Sequence, residues 1–223
     1  MVIEMKIMNV TKLVRTLAAV STAVLTLAPT PSHADFYDGV RGPSKAQVHY
    51  TANVGETTTH NLAAKYFGED VFAVGAVSTN GQSFQESFSG VGYIIEQLDR
   101  VKALPVVGYG LSGDGKQGTL NTILQATAFL DSKGTFLADP RYILSLPAHG
   151  QDQHTPAHTF GLTPSVGNGQ IRVGTDLGYT LGDPHLTASG LLRYDLDTKK
   201  HSSWVEIGVG NQGNVQLQFR GNF

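Results

Sequence analysis

The chain has 223 residues, of which 40% are hydrophobic and 15% charged, with a formal net charge of −2 and no cysteine. The near-neutral charge argues against a nucleic-acid partner, which requires a basic surface, and the composition argues against a disordered chain. Without cysteines, the fold depends on packing and backbone pairing and not on disulfides.

The N-terminus has the features of a secretory signal peptide. A basic segment precedes an apolar run, residues 17–27 (LAAVSTAVLTL), which is too short to span a bilayer. Ser32 and Ala34 then form a small-x-small cleavage motif. A buried N-terminal helix is the alternative, but prolines follow the run at once. We therefore expect residues 1–34 to be removed on export and residues 35–223 to form one domain.

The remainder of the chain is predicted to be all β. It contains many glycines and no long helical periodicity. Read at a period of two, it divides into about twelve runs of roughly 8 to 12 residues, the length of a tilted membrane-spanning strand. Pro105 and Pro140 fall inside two of the runs, where a bulge or kink is expected, so ten strands is the alternative count. The runs are 47–55, 60–68, 71–79, 86–96, 101–111, 119–130, 135–147, 158–167, 170–181, 185–196, 202–210 and 214–223.

The connections between the runs differ on the two sides of the predicted sheet. On the side of the chain termini they read GED, QLDR, DSKG, GNG and DTKKH, which are tight and rich in turn-forming residues. The opposite side has the longer segments NGQSFQ, SGDGKQG and AHGQDQHTPAH, although its last two connections are short. Short turns on one side and longer loops on the other are typical of outer-membrane barrels, whose short turns are periplasmic.

The alternation continues through the later runs. Each of the runs 170–181, 185–196 and 202–210 has one apolar face and one polar or charged face. A soluble sandwich or lipocalin-like barrel would bury the apolar face, and this remains an alternative. Twelve strands, however, enclose a space too wide for such side chains to fill, so we expect the apolar face to meet lipid. The expected fold class is an antiparallel up-and-down transmembrane β-barrel.

The last run, NVQLQFRGNF, alternates strictly and ends in Phe223. With the export signal and the antiparallel meander, it resembles the final strand of Gram-negative outer-membrane β-barrel proteins. The resemblance implies that Val215, Leu217, Phe219 and Phe223 form the signal read by the barrel-assembly machinery, although Gly221 replaces a bulkier residue. In length and strand count alone, the chain is similar to small twelve-stranded channels for acidic saccharides.

The polar face is expected to line a lumen. Its three arginines lie near the same rim of the barrel, and nearby carboxylates are close enough to pair with them. Such a cluster forms a selectivity constriction, because rings of charged side chains determine which ions pass; alternatively, its members are salt bridges that only tie strands together. The predicted pore-lining residues are Arg172, Arg193, Arg220, Asp176, Asp195 and Glu206.

Two other segments contain residue types that occur in metal-binding and phosphate-binding sites. His149, His154 and His158 lie in one loop with Asp152, but their spacing does not match a zinc-binding helix motif. The segment GYGLSGDGKQG is glycine-rich, but the next residues alternate like a strand and supply no helix N-terminus for a phosphate. We therefore predict no metal site and no cofactor.

These observations predict a monomeric outer-membrane porin-like protein that passes small polar or anionic solutes. Its partners would be the outer-membrane lipids, the assembly machinery and the solutes. An enzyme is not expected, because no serine–histidine pair can be assigned to the outer wall. The alternatives are a non-conducting structural or adhesin barrel, a lipid-modifying barrel and a soluble periplasmic binding protein.

Overall fold

The structure is a computed structural model, and all the regular secondary structure in its described residues is β-strand. No helix among these residues has the length and apolar character needed to cross a membrane. The predicted signal peptide, residues 1–34, lies outside the described part of the chain. The described residues are 45–55, 57–98, 100–150, 155–167, 170–183, 185–196, 203–211 and 213–223.

The described strands form one antiparallel sheet. Twelve of them close into a barrel in the order β1-β2-β3-β4-β7-β8-β9-β10-β11-β12-β13-β14, with β14 paired back to β1. The short strands β5 and β6 extend β4 and β7. This confirms the predicted class, an all-β antiparallel barrel of twelve strands. The strands are β1 (Ala46–Val54), β2 (Thr59–Phe67), β3 (Val71–Thr79), β4 (Phe84–Tyr93), β5 (Ile95–Leu98), β6 (Val101–Ala103), β7 (Val106–Ser112), β8 (Gly118–Phe129), β9 (Phe136–His149), β10 (Ala157–Gly167), β11 (Ile171–Thr180), β12 (Leu186–Asp195), β13 (Trp204–Gly210) and β14 (Val215–Asn222).

The barrel closes between its first and last strands. At the end of this seam, the backbone nitrogen of Phe223 donates to the Ala46 oxygen at 2.8 Å, and the Ala46 nitrogen donates to the Phe223 oxygen at 3.1 Å. The last residue is therefore held in the sheet by the start of β1. We call the end of the barrel that carries Ala46 and Phe223 the terminal end, and the opposite end the loop end.

The two prolines behave differently. Leu104 and Pro105 separate β6 from β7, and Gln125 bridges the interruption by donating its Nε2 to the Leu104 oxygen at 2.6 Å. At Pro140, β9 continues: its pairing with β8 omits the positions opposite Asp139 and Pro140 but resumes in the same register. The bulge expected at Pro140 therefore does not occur, because only the ladder to one neighbour loses a donor.

The expected contrast between short turns and long loops is weak. The strand bounds place the longest connection, residues 196–203, at the terminal end and the next longest, residues 150–156, at the loop end. The first connection is longer than the predicted DTKKH, and the second is shorter than the predicted AHGQDQHTPAH, because β9 and β10 extend into that segment. Loop length alone therefore does not distinguish the two ends of this barrel.

The two faces of the barrel wall differ in chemistry. The apolar residues predicted to point outward in β11 to β13, such as Ile171, Val173 and Val209, are each more than half exposed at 51%, 52% and 56%. Their polar neighbours on the same strands, such as Arg172 and Glu206, are buried. The alternation therefore has the predicted inside-out sense, with apolar side chains outside.

Part of the interior is apolar. Buried hydrophobic side chains from β2, β3 and β7 to β9 pack against one another, together with residues from the two strand interruptions. The rings of Phe67 and Phe72 are 5.4 Å apart. Glycines give these side chains room, since a Cβ at Gly92 would overlap the Phe72 ring and one at Gly108 would overlap Phe88. We call this group the apolar cluster, and its members are Ala63, Phe67, Phe72, Val74, Ile94, Leu104, Val106, Ile123 and Ile143.

Candidate functional site

The charged inner wall is the inner face of β11 to β14 and β1. It holds the three predicted arginines close to the terminal end of the barrel. Arg172 and Arg193 are directly opposite each other in the register of β11 and β12, and Arg220 is opposite Trp204 in that of β13 and β14. All three arginines are buried, with 3%, 7% and 1% of their surface exposed. The structure therefore brings these arginines together on one wall, as expected.

Trp204 contacts two of these arginines. The guanidinium carbons of Arg193 and Arg220 lie 4.3 Å and 5.0 Å from the centre of a Trp204 ring. The ring of His49 meets the same indole edge-on at 5.3 Å. A cation held over an aromatic face gains about 0.5 to 2 kcal/mol, so the indole offsets part of the repulsion between the two arginines. Sequence analysis did not include Trp204 among the predicted site residues.

Glu206 links the arginines to a chain of uncharged side chains. Its Oε2 accepts from Nε of Arg193 at 2.9 Å, and its Oε1 accepts from Nε2 of Gln218 at 3.0 Å. The Oε1 of Gln218 accepts from the hydroxyl of Thr51 at 3.3 Å and lies 3.1 Å from Nε2 of His49. Each member thereby restricts the orientation of the next.

Arg172 connects the charged inner wall to the β8–β9 turn. Its guanidinium donates to the backbone oxygens of Gly134 and Thr135 at 2.8 Å and 3.3 Å. Asp195 attracts it electrostatically and is itself 1% exposed. Nε of Arg172 is a buried donor without a hydrogen-bond partner among the described residues.

Asp176 is placed differently from the expectation. It accepts two hydrogen bonds from Arg141, at 2.6 Å and 3.0 Å, and a third from the Thr163 hydroxyl at 2.6 Å. It therefore pairs across β9 to β11, and its carboxylate is engaged away from the arginines at the terminal end. Gly161 makes this possible, since a Cβ there would overlap the Arg141 side chain.

Arg141 is the main residue that sequence reasoning missed. The predicted kink at Pro140 left the orientation of the following residues undecided. The two-residue alternation through Leu137, Asp139 and Ile143, all of them buried, would have placed Arg141 on the inner face. The signal was present in the sequence and was obscured by the proline.

Every charged residue in the twelve strands that close the barrel lies on the inner face, and this set leaves out the short strands β5 and β6, which carry Glu96 and Lys102. The outer face of the twelve strands carries none. Basic and acidic residues are equal in number on the inner face, so any preference for one sign of charge must come from their local arrangement. The basic residues are Lys65, Arg141, Arg172, Arg193 and Arg220, and the acidic ones are Glu86, Asp139, Asp176, Asp195 and Glu206.

The C-terminal residues proposed as an assembly signal lie on the outer side of β14 and beyond it. Leu217, Phe219 and Phe223 are 46%, 37% and 70% exposed, whereas Val215 is half-buried. A continuous apolar surface is thus available at the seam. Their recognition by the assembly machinery stays a prediction.

The histidine-rich loop is described only in part, because Asp152 and His154 lie outside the described residues. His149 and His158 each lie within hydrogen-bonding distance of a tyrosine hydroxyl on the outer face of the barrel. The two histidines that are described therefore belong to the outer wall.

No family model matches the chain, and no curated protein matches it as a relative. Among solved structures it is similar to a KdgM porin, with a TM-score of 0.58, 13% identity, and coverage of 79% of this chain and 99% of that chain. It is also similar to the NanC porin, with a TM-score of 0.55, 12% identity, and coverage of 80% of this chain and 98% of that chain. The chain therefore has the fold of the porins, and its resemblance to small outer-membrane β-barrels is confirmed at that level.

Proposed function

We propose that this protein is an exported, monomeric outer-membrane channel for small polar or anionic solutes, with residues 1–34 acting as its signal peptide. The observation that carries the proposal is that every charged residue of the twelve strands that close the barrel lies on the inner face. A closed barrel satisfies all its backbone hydrogen bonds internally and is stable in lipid when its outer face is apolar. The inner wall then meets water.

The arrangement of charges favours anions at the terminal end. Arg172, Arg193 and Arg220 lie there together with Asp195 and Glu206, whereas Asp176 of the same wall is paired with Arg141. A local excess of positive charge in a low-dielectric wall raises the concentration of anions beside it.

The apolar cluster limits the size of the solute. It occupies the interior on the side of β2, β3 and β7 to β9, opposite the charged inner wall. The water-filled path would therefore run beside the charged inner wall, where each solute passes close to the arginines. This favours small solutes over extended chains.

Single-channel conductance tests the proposal. Residues 35–223 are refolded in detergent, shown to be folded by a change of gel mobility on boiling, and added to a planar bilayer. We expect stable ohmic steps with a preference for anions that weakens in Arg172→Gln, Arg193→Gln and Arg220→Gln. Lys116→Gln is the control, because Lys116 lies in an exposed connection at the loop end and pairs only loosely with Asp114 at 3.7 Å.

A folded protein that never conducts would contradict the channel and favour a closed structural barrel. The near-complete burial of Trp204 and Arg220 is the observation that supports this second candidate. No catalytic activity is part of either proposal.

A further inference from the structure

The outer wall carries three tyrosine–histidine pairs with nearly the same geometry. In each pair the tyrosine hydroxyl lies within hydrogen-bonding distance of Nδ1 of the histidine, at 2.8, 2.5 and 2.8 Å. The ring centroids are 6.1 Å apart in all three pairs, and the rings are inclined by 20°, 16° and 32°. In that order, the pairs are Tyr50–His60, Tyr109–His149 and Tyr142–His158.

The pairs also occupy equivalent positions along the barrel wall. His60 lies opposite Ala52, two residues beyond Tyr50 toward the loop end, and His158 lies opposite Leu144, two residues beyond Tyr142. His149 likewise lies at the loop end of β9. Each histidine is thus on the outer face, one outward-facing position nearer the loop end than its tyrosine. All three histidines lie near the loop end of the apolar outer surface, which extends at Val54 one outward-facing position beyond the row of His60.

One pair identifies which imidazole nitrogen carries the proton. Nε2 of His149 lies 3.5 Å from the backbone oxygen of Gly115, an atom that can only accept a hydrogen bond. Nε2 therefore carries the hydrogen, and Nδ1 accepts from the hydroxyl of Tyr109. In His60 and His158 the tyrosine hydroxyl is likewise placed to donate to Nδ1, which leaves Nε2 as the N–H group of each neutral ring. Among the described residues, their Nε2–H groups have no acceptor.

We propose that His60 and His158 bind the phosphate oxygens of membrane lipids in the leaflet at the loop end, each through its Nε2–H. An N–H group near the edge of an apolar surface is costly unless it meets an acceptor, and the first acceptors beyond the acyl chains are headgroup oxygens. Tyr50 and Tyr142 act as positioning residues, since each lies within hydrogen-bonding distance of Nδ1 and restricts the rotation of its imidazole. This inference rests on the proposed membrane location.

Native mass spectrometry tests the proposal on the refolded barrel in a neutral maltoside detergent. The probe is dimyristoyl phosphatidic acid, and dimyristoylglycerol is the matched lipid without phosphate. We expect phosphatidic acid to bind more tightly than dimyristoylglycerol and His60→Phe or His158→Phe to remove one bound molecule each. The double variant His60→Phe/His158→Phe should lose about tenfold or more in apparent affinity, the value of a hydrogen bond to a charged group.

Two further variants separate recognition from a general effect of the ring. His185→Phe changes an exposed histidine outside the pairs and should leave lipid binding unchanged. Tyr50→Phe removes the partner of His60 while the donor remains, so it should weaken binding less than His60→Phe does.

Equal binding of the two lipids, or unchanged binding in the double variant, would overturn the inference. The same samples are assayed for membrane partition and conductance. A protein that partitions and conducts but shows no phosphate dependence refutes the histidine sites alone. A protein that does not partition into membranes refutes the proposed function as well.

Discussion

Arg193 and Glu206 face each other across β12 and β13, and Nε of Arg193 lies 2.9 Å from Oε2 of Glu206. Both side chains are largely buried, with 8% and 1% of their side-chain surface exposed. A buried pair of this kind contributes less than its Coulomb attraction suggests, because both groups lose hydration. Removing only one partner should cost more than the pair itself contributes, because it leaves the other charge buried and unpaired.

We predict that Glu206→Leu destabilises the folded barrel by about 3 kcal/mol, because Arg193 is then buried without its carboxylate. Urea unfolding of the refolded protein in vesicles measures this. The double variant Arg193→Met/Glu206→Leu should recover much of the loss. Lys116→Gln removes a pair whose side chains are 82% and 56% exposed and should change stability by less than about 1 kcal/mol. An unchanged midpoint of urea unfolding in Glu206→Leu would mean that water solvates the Arg193–Glu206 pair.

Trp204 provides a second test, since it is the single tryptophan of the chain and is 0% exposed. We predict a blue-shifted emission and weak quenching by acrylamide in the folded barrel, with strong quenching after unfolding in urea. Arg220→Met opens one face of the indole and should raise quenching in the folded state. If acrylamide quenches the folded and unfolded wild-type protein equally, Trp204 faces open water and its packing against Arg193 and Arg220 is wrong.

Gly161→Ala tests the room that Arg141 needs. A methyl group at this position overlaps the Arg141 side chain, so the guanidinium must leave Asp176. We expect Gly161→Ala to lower the free energy of unfolding by about 2 kcal/mol, the contribution of a hydrogen bond to a charged group. Gly190→Ala is the matched control, because a Cβ there meets no atom within 4 Å. The loss of stability caused by Gly161→Ala should be smaller when Asp176→Asn is already present. Equal effects of the two glycine variants would contradict this account.

Phe223→Ala tests the proposed assembly signal and keeps the backbone bonds to Ala46. We predict that it slows insertion by the assembly machinery in cells, measured as the fraction of the membrane-bound protein whose gel mobility changes on boiling. Refolding of the same variant into detergent should be nearly unaffected. A variant that refolds poorly in detergent would show that Phe223 acts through packing at the seam, and unchanged insertion in cells would count against the signal.

Much of the fold could be read from the alternation of residue types. The strand count, the outward face and the burial of Arg172, Arg193, Asp195 and Glu206 follow from a period of two, because successive side chains in a strand point to opposite faces. Turns and prolines were read less accurately. Pro140 was expected to distort a strand that continues through it, since a sequence does not reveal which neighbouring strand would have used the missing donor.

The sequence by itself determined which side chains lie on each face of the wall, since that choice is made locally along each strand. Only the tertiary structure decided which inner side chains meet. The pairing of Asp176 with Arg141, the stacking of two arginines on Trp204 and the repeated tyrosine–histidine pairs all join residues on different strands. Their contacts depend on register and strand tilt, which are set only when the whole sheet closes into a barrel.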